Sequence, residues 1–394
     1  MIQIDLKHCT CCGACVQACP KQCITRREHE NGFLYPVVNS ESCIRCGRCE
    51  AVCPINKSAR ETAPKASAAV SRKKKQLEKA SSGGAFGAIA DYILAQGGIV
   101  YGCAFTDHLR AVHIRISSAR QLPVLFGSKY VQSNTANTFV QVKQDLKSGK
   151  TVLYSGTPCQ IAGLRHFLGR DEERLILVDI ICHGVPSQAY FDKYIRWIES
   201  EQKGSVVDYQ FRSKRNHGWS LAGEYTLVDE KGEKKRKKLF YFDHYYYYYF
   251  LESSIYRECC YHCKYTNLSR EGDFTLGDLW GAERFSNPFD TSRGCSLVLV
   301  NTPKASEIMQ HLELDTAEIE LGTAARYNEQ LVRPSKRHPE REKRIVDYIC
   351  WSAQEIQADF LKRYRVARIK GKVKYMVPTP LIKYINWIRY RVRR

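Results

Sequence analysis

The sequence predicts an α+β protein in three parts: a small cysteine-rich head, an α/β body and a helical, basic tail. Three observations carry this. Ten of the 18 cysteines fall within the first 53 positions. From Ser81 onward, strand-like apolar runs alternate with segments of helical period. The last stretch, Leu361 to Arg394, holds twelve Lys/Arg and no Asp/Glu, so it supplies +12 of the formal +20. The basic character therefore belongs to the tail, and no nucleic-acid partner is expected for the body. At 394 residues the chain exceeds one ordinary domain. It opens polar, with Asp5, Lys7 and His8 and no apolar signal region, and no apolar run is long enough to cross a bilayer. The cysteines thus read as metal ligands and thiols of a reducing cytoplasm.

The head spans residues 1–57. Cys9, Cys12, Cys15 and Cys19 followed by Pro20 fit C-x2-C-x2-C-x3-C-P, and Cys43, Cys46, Cys49 and Cys53 followed by Pro54 repeat it. Three thiolates on one tight loop hold three irons of a cubane, and in two-cluster ferredoxins the fourth cysteine serves the other cluster. The expected sets are Cys9, Cys12, Cys15 and Cys53 for one [4Fe–4S] cluster, and Cys43, Cys46, Cys49 and Cys19 for the second. Two copies of the motif, each with its proline, set zinc aside. Gly13 and Gly47 stand at matching places and let the backbone wrap close. Cys11 and Cys23 lie outside the pattern and read as spectators. Such clusters carry single electrons, so something else must use them.

Residues 58–80, rich in Ala, Lys and Ser, read as a linker or a solvated helix. Next, "SSGGAFGAIADYILAQG" has helical spacing behind a glycine-rich start, and "GIVYGCAF" and "AVHIRIS" read as strands. "TVLYSGTPCQIAGLRHFLG" reads as strand, tight loop and helix, and "RLILVDIICHGVPSQAYFDKYIRWIES" repeats that plan. Each loop carries a cysteine, Cys159 or Cys182, at the carboxyl end of a strand, where open α/β sheets place ligands. "EYTLVDEKGEKKRKKLFYF" predicts a hairpin around Gly232 with a basic arm. The tyrosine run "DHYYYYYF" reads as packing surface. "DFTLGDLWG" and "SLVLVNT" are strand-like, and the remainder is helical.

Taken in order, "SSGGAFGAIADYILAQGGIVYG", "GSKYVQS", "YSGTPCQIAGLRHFL", "ICHGVPS", "FRSKRNHGW" and "CYHCKYTNLSREGDFTLGDLWG" resemble the coenzyme F420 hydrogenase/dehydrogenase beta-subunit family. The resemblance runs from about Ser81 to Thr302. It implies a flavin-side region at 81–145 and a cluster-bearing region at 146–330, with 331–394 as the helical basic tail. It also implies FAD in an α/β flavin-binding catalytic body, with a [4Fe–4S] cluster beside it. Plant chlorophyll-pathway reductases and proteins associated with bacterial polysaccharide synthesis look similar. A flavin is the usual converter between one-electron clusters and hydride chemistry. The Ser81-Ser82-Gly83-Gly84 loop opens a helix, which suits a phosphate or a flavin edge, although Ser-Gly caps are common in their own right. With the resemblance, Lys129, Thr157 and Asp278 join those four as flavin-site candidates.

Cys159, Cys182, Cys260 and Cys263 match the cysteine positions of that family, so a third [4Fe–4S] cluster is expected there; a structural zinc with the same ligands is the alternative. Cys259 stands where the family has a small residue. The fused two-cluster head departs from the hydrogenase subunit, which puts both a hydrogenase partner and coenzyme F420 itself in doubt. The expected function is an iron–sulfur flavoprotein oxidoreductase. It would pass electrons between ferredoxin-type clusters and FAD, to or from an unidentified organic hydride acceptor, with polysaccharide metabolism as one setting. The alternative is an electron-relay subunit of a larger complex, or an F420 dehydrogenase subunit. The expected partners are a ferredoxin or other redox protein and a small-molecule substrate. In "PLIKYINWIRYRVRR", Leu381, Tyr384, Ile385, Ile388 and Val392 share one helical face with basic flanks. That pattern fits a helix lying at the inner membrane face or, equally, a tail docked on its own domain.

Overall fold

The computed structural model describes residues 2–282, 285 and 288–376. Both cysteine motifs fold by one plan. A left-handed glycine, Gly13 at φ +92° or Gly47 at φ +74°, turns the chain into a short helix that carries the motif's third cysteine. These helices are α1 (Ala14–Ala18) and α2 (Arg48–Ala51), and between them lie the paired strands β1 (Ile24–Glu28) and β2 (Leu34–Val38).

The body begins with β3 (Lys65–Ser71), α3 (Lys74–Lys79), α4 (Ala85–Ala95), β4 (Ile99–Phe105), β5 (Ala111–Ile116) and α5 (Thr138–Lys147). Two strand–loop–helix units follow: β6 (Val152–Gly156) with α6 (Pro158–Leu168), and β7 (Leu175–Ile180) with α7 (Gln188–Gln202). A separate antiparallel sheet holds β8 (Gly204–Gln210), β9 (Ala222–Asp229) and β10 (Lys234–Phe240), with α8 (Lys214–His217) between the first two. The β9–β10 pair is the expected hairpin, and Gly232 sits in its turn at φ +79°. The chain continues through α9 (Tyr245–Leu251), β11 (Phe274–Asp278), β12 (Ser296–Val300), α10 (Pro303–Met309), β13 (Leu314–Ile319) and α11 (Leu321–Tyr327). It ends, within the described residues, with α12 (Arg341–Cys350), α13 (Ala353–Arg363) and α14 (Arg365–Met376).

Eight strands form the main sheet in the order β13-β3-β12-β11-β7-β6-β4-β5. Its centre, β11-β7-β6-β4, is parallel, and the flanking strands run antiparallel. The central strands are covered on both faces, as parallel strands must be. Leu153, Ile176, Val178 and Phe274 meet Ile89 and Ile93 of α4 on one side. Tyr154, Leu175 and Leu177 meet Phe139 of α5 and Ile161 and Leu164 of α6 on the other.

The structure corrects the reading of residues 58–80 as a linker. Residues 65–71 are β3, hydrogen-bonded between β12 and β13, with Ala66, Ala68, Ala69 and Val70 buried. The side chains are too small to give an alternating pattern, yet small residues are what this crowded position accepts. One sheet therefore draws on both 81–145 and 146–330 as well as on β3. The tyrosine run is the packing element expected: Tyr245, Tyr246, Tyr247 and Tyr249 of α9 are fully buried, with Ile356 and Phe360 of α13 in the same core. The amphipathic segment 381–392 lies outside the described residues.

Candidate functional site

Cys9, Cys12, Cys15 and Cys53 line one cavity of the head, and Cys19, Cys43, Cys46 and Cys49 line another. These are the two ligand sets expected from the crossed-motif rule. In the first, burial pushes Cys12 up to about 12, and the thiols of Cys159, Cys9 and Cys53 push the same way. Burial likewise raises Cys15, helped by Cys12, Cys9, Cys11 and Cys53. Soft thiol donors gathered on one buried cavity suit an iron–sulfur cubane, whose binding must release their protons. Cys23 is closer to chemistry than its spectator reading suggests: its Sγ lies 3.3 Å from that of Cys19 and it lines the same cavity.

The body gathers its own four. Cys159 sits in the first turn of α6 and Cys182 follows β7. Cys260 lies in the short turn Glu258–His262, and Cys263 follows it directly. Burial raises Cys182, and Cys260, Cys159 and Cys263 each raise it further. Burial takes Cys159 to about 12 and Cys263 to about 11, with Cys260 adding to both. The four thiols thus converge from three separate parts of the fold. Cys259 hydrogen-bonds Cys260, which lowers the Cys260 pKa against the opposing effect of burial. The chemistry of the donor set fits a third cubane. Among the described residues, no group of three or more Cys, His, Asp or Glu side chains is placed to hold a metal ion, so the four thiols share a region of the fold without a closed coordination geometry.

A buried ion pair ties the loop after Cys263 to β7, the strand that leads to Cys182. Arg270 donates from Nη2 to Asp179 Oδ1 at 2.8 Å, while Asp179 Oδ2 accepts from the amides of Glu271 and Gly272. Asp179 is on β7, just before Cys182, and Arg270 lies on the loop after Cys263. Asp273 is structural: its Oδ2 accepts from Leu177 N–H at 2.8 Å and its Oδ1 from Thr302.

Head and body meet at the ligands themselves. A Cβ on Gly163 of α6 would stand 2.9 Å from both Cβ and Sγ of Cys12, so only glycine lets α6, the helix bearing Cys159, press against a head ligand. Thr135 Oγ1 donates to Cys12 O, and Gln132 Nε2 to Thr10 O. Lys264 Nζ donates to the carbonyls of Pro54, Ile55 and Lys57, just past Cys53.

The flavin-site candidates fall into two places. Thr157 donates its N–H and its hydroxyl to Gln160 Oε1 and lies 3.2 Å from Cys159 Sγ, so it belongs to the body thiol site. The glycine-rich loop is held by its surroundings. Ser81 Oγ accepts from Ser128 N–H, and Ser82 Oγ donates to Cys295 O. A Cβ on Gly83 would collide with Ala69 O at 2.1 Å, and Gly84 caps α4 at φ +89°. Lys129 donates to Phe126 O at 2.7 Å and is pulled down to about 8 by burial.

Asp278, at the end of β11, accepts from Arg212 Nη1 and, at 3.1 Å, from Trp219 Nε1. Trp219 stacks on Trp280 at 5.6 Å, with the Arg212 guanidinium 5.4 Å from the Trp280 ring centre. Lys214 donates to Leu77 O and Ser82 O and so joins this group to the glycine-rich loop. Burial, reinforced by Arg212, lowers Lys214 to about 7. Arg212 Nη2 is buried with no hydrogen-bond partner among the described residues. A buried cationic donor with a free N–H beside a second cation is what an anionic diphosphate would satisfy, and the tryptophan pair offers a flat aromatic wall. These residues therefore fit FAD. Arg212, Lys214 and Trp219 all lie in "FRSKRNHGW", a stretch that the sequence marks as a motif without pointing to these three side chains as a site.

Residues 149–325 match the family described as the C terminus of the coenzyme F420 hydrogenase/dehydrogenase beta subunit, and residues 8–57 match the 4Fe-4S dicluster domain. A protein named Ferredoxin 7Fe, from Hydrogenibacillus schlegelii, is 44% identical over 44 residues, 11% of this chain; the match spans half of that ferredoxin's length. A chain of the F420-reducing [NiFe] hydrogenase complex from Methanosarcina barkeri, solved as a xenon derivative, is similar at 17% identity over 78% of this chain and 92% of that one, with a TM-score of 0.43. The chain thus carries a 4Fe–4S dicluster domain at 8–57 and, at 149–325, a region that matches the carboxyl-terminal domain of the coenzyme F420 hydrogenase/dehydrogenase beta subunit.

Proposed function

We propose that this chain is an iron–sulfur flavoprotein oxidoreductase. Electrons pass between the two head clusters, the cluster of Cys159, Cys182, Cys260 and Cys263, and FAD, and so to or from an organic hydride acceptor. The observation that carries this reading is the contact at Gly163, where the helix bearing Cys159 presses on head ligand Cys12. When bound, FAD supplies the exchange between single electrons and hydride. The protein's part is to hold and to exclude water. Arg212, Lys214 and the amides around Ser82–Gly84 would take the diphosphate; Lys129 and the Trp219–Trp280 wall would face the ring system.

The way in from a redox partner is the second head cluster, since Cys46 is exposed and Ile44 beside it is 57% exposed, between Lys21, Arg45 and Arg48. A small acidic electron carrier suits that surface. The beta-subunit name of the matched family favours a second reading, in which the chain relays electrons to a catalytic partner. Polysaccharide precursors are the first acceptors to test, and coenzyme F420 is the alternative. Anaerobically reconstituted protein is expected to carry about twelve irons and one FAD per chain. No flavin with no more than about eight irons would overturn the proposal. Flavin reduction by ferredoxin, followed by oxidation by a small molecule with no other protein present, separates the enzyme from the relay.

We also place the chain in the cytoplasm, at the inner membrane face. No helix among the described residues is long and apolar enough to cross a membrane. On α14, however, Val366, Ile369, Val373 and Met376 are 65%, 54%, 56% and 78% exposed on one stripe, flanked by Arg365, Lys370, Lys372 and Lys374. The opposite side of the helix rests on the body, with Gly371 against Phe242 and Tyr375 against Phe240. That is the arrangement of an interfacial helix. Full-length protein should sediment with phosphatidylglycerol vesicles and not with phosphatidylcholine alone; equal behaviour with both would rule it out.

A further inference from the structure

Among the described residues, three arginines are fully buried: Arg257, Arg270 and Arg344. Arg270 is paired with Asp179, and Arg344 lies among Asp347, Asp359 and Glu340. Arg257 has no carboxylate partner among the described residues. Its N–H groups are directed at neutral acceptors: Nε donates to Cys9 O at 2.7 Å, Nη1 to Gln132 Oε1 at 3.1 Å, and Nη2 to Leu34 O at 2.9 Å. Its guanidinium also lies 4.1 Å from the Tyr35 ring centre and 5.4 Å from that of Phe33. Three hydrogen bonds and two ring faces orient the group, but they do not cancel its charge. A guanidinium cannot shed its proton to escape burial. A buried charge left uncompensated costs several kcal/mol, so this position demands a negative partner.

The ionisable groups acting on Arg257 are thiols, Cys11, Cys259 and Cys9, together with the phenol of Tyr35. Cys9 is a ligand of the inner head cluster. Cys259 is hydrogen-bonded to Cys260, a ligand of the body cluster. The Arg257 amide donates to Val185 O, three residues past Cys182, and its carbonyl accepts from Cys260 N–H at 3.0 Å. Arg257 thus stands where the two ligand sets adjoin. A cubane held by four thiolates carries net negative charge, which grows by one with each electron it accepts.

Resting on the reading of three clusters above, we propose that Arg257 is the counter-charge shared by the inner head cluster and the body cluster. It raises both reduction potentials above that of the outer head cluster. The outer set, Cys19, Cys43, Cys46 and Cys49, has no comparable buried cation among the described residues. A fixed positive charge favours the reduced form of whatever lies next to it, and does so more strongly in a low-dielectric interior. One electron leaving the outer cluster and arriving on the inner one moves toward Arg257, and no proton needs to travel with it. The gradient therefore draws electrons from the exposed end of the head into the body.

The test is a potentiometric titration of the full-length, anaerobically reconstituted protein followed by electron paramagnetic resonance, with the outer cluster identified by its loss in Cys46→Ser. In Arg257→Gln the reduced-to-oxidised ratio of both inner clusters, at fixed potential, should fall about tenfold, which is about 59 mV for a one-electron couple. The outer cluster should stay where it was. Arg257→Lys keeps the charge and should stay within about threefold of wild type, or about 28 mV on the same constant. Unchanged potentials in Arg257→Gln, or an equal shift in all three clusters, would overturn the proposal. If Arg257→Gln does not retain iron, the wild-type protein decides: an inner head cluster at or below the potential of the outer one refutes it. Iron counts and spectra test the three-cluster reading separately, because a missing body cluster would leave the Cys9 half of the measurement intact.

Discussion

The head and the body hold the same ligand type in opposite ways. In the head, each motif makes most of its site locally, with a left-handed glycine and a short helix closing the loop round three cysteines. In the body, the ligands come from the start of α6, the end of β7 and the turn at 258–262, and nothing local relates them. They meet only because β6 and β7 are neighbours in register, with Val152 opposite Leu175, and because the Arg270–Asp179 pair closes the loop behind Cys263. A locally built site should tolerate damage elsewhere in the fold, whereas a site assembled by the sheet should fail with it.

The largest effect should come from a body ligand. Cys260→Ser should remove about a third of the iron, spare both head clusters, and slow flavin reduction through the head by at least about a hundredfold. Cys259→Ala should leave the iron count unchanged, because Cys259 supports Cys260 by a hydrogen bond without being one of the four converging thiols. Iron per chain and stopped-flow reduction by a reduced ferredoxin read both outcomes. Equal iron loss in the two variants would mean that the ligand set has been misassigned.

Breaking the ion pair tests the comparison at a distance from any thiol. Arg270 is 1% and Asp179 0% exposed, and removing one member of such a pair costs about 3–5 kcal/mol, because the other charge is left stranded. Arg270→Met should therefore lower the urea midpoint of the body and lose the body cluster first, with the head spectrum retained. Simultaneous loss of all three clusters would show that the head is not an independent site.

This contrast also explains what could be read from the residues alone. The head was legible because spacing and chemistry coincide over a few dozen positions, and the crossed assignment of Cys53 and Cys19 needs only the fold of one small module. The strand–loop–helix units at Cys159 and Cys182 were legible from their period. β3 was not: a run of alanine and serine bears no alternation, and its place between β12 and β13 is set by neighbours more than two hundred residues away. Arg257 was equally silent, since a lone arginine before a cysteine pair looks like any surface charge until Cys9, Leu34 and Gln132 surround it. Arg212, Lys214 and Trp219 were visible as a motif, but their convergence on Asp278 and Ser82 depends on how β8 and β9 pack against the end of the main sheet.

The smallest predicted effect concerns that convergence, and it sets a site tuned by protonation against head clusters whose neighbouring arginine has a fixed charge. Burial, with help from Arg212, holds Lys214 near 7, far below an ordinary lysine. The folded protein with no anion at this site therefore loses the proton from Lys214 as pH rises through about 7, whereas the unfolded chain keeps its own until the usual lysine range. Between those limits the unfolded state binds more protons, so this group makes stability rise with pH. Binding of an anionic diphosphate has the opposite sign, because it requires the charged lysine and must recover the proton. FAD affinity should be flat below about pH 6 and weaken about thirtyfold by about pH 8.5, limited to tenfold per pH unit for one linked proton. Lys214→Met should bind more weakly at low pH and lose the slope, while Arg212→Lys should weaken binding and keep it. Equilibrium dialysis of FAD across that range measures all three, and a level wild-type profile would remove Lys214 from the flavin site.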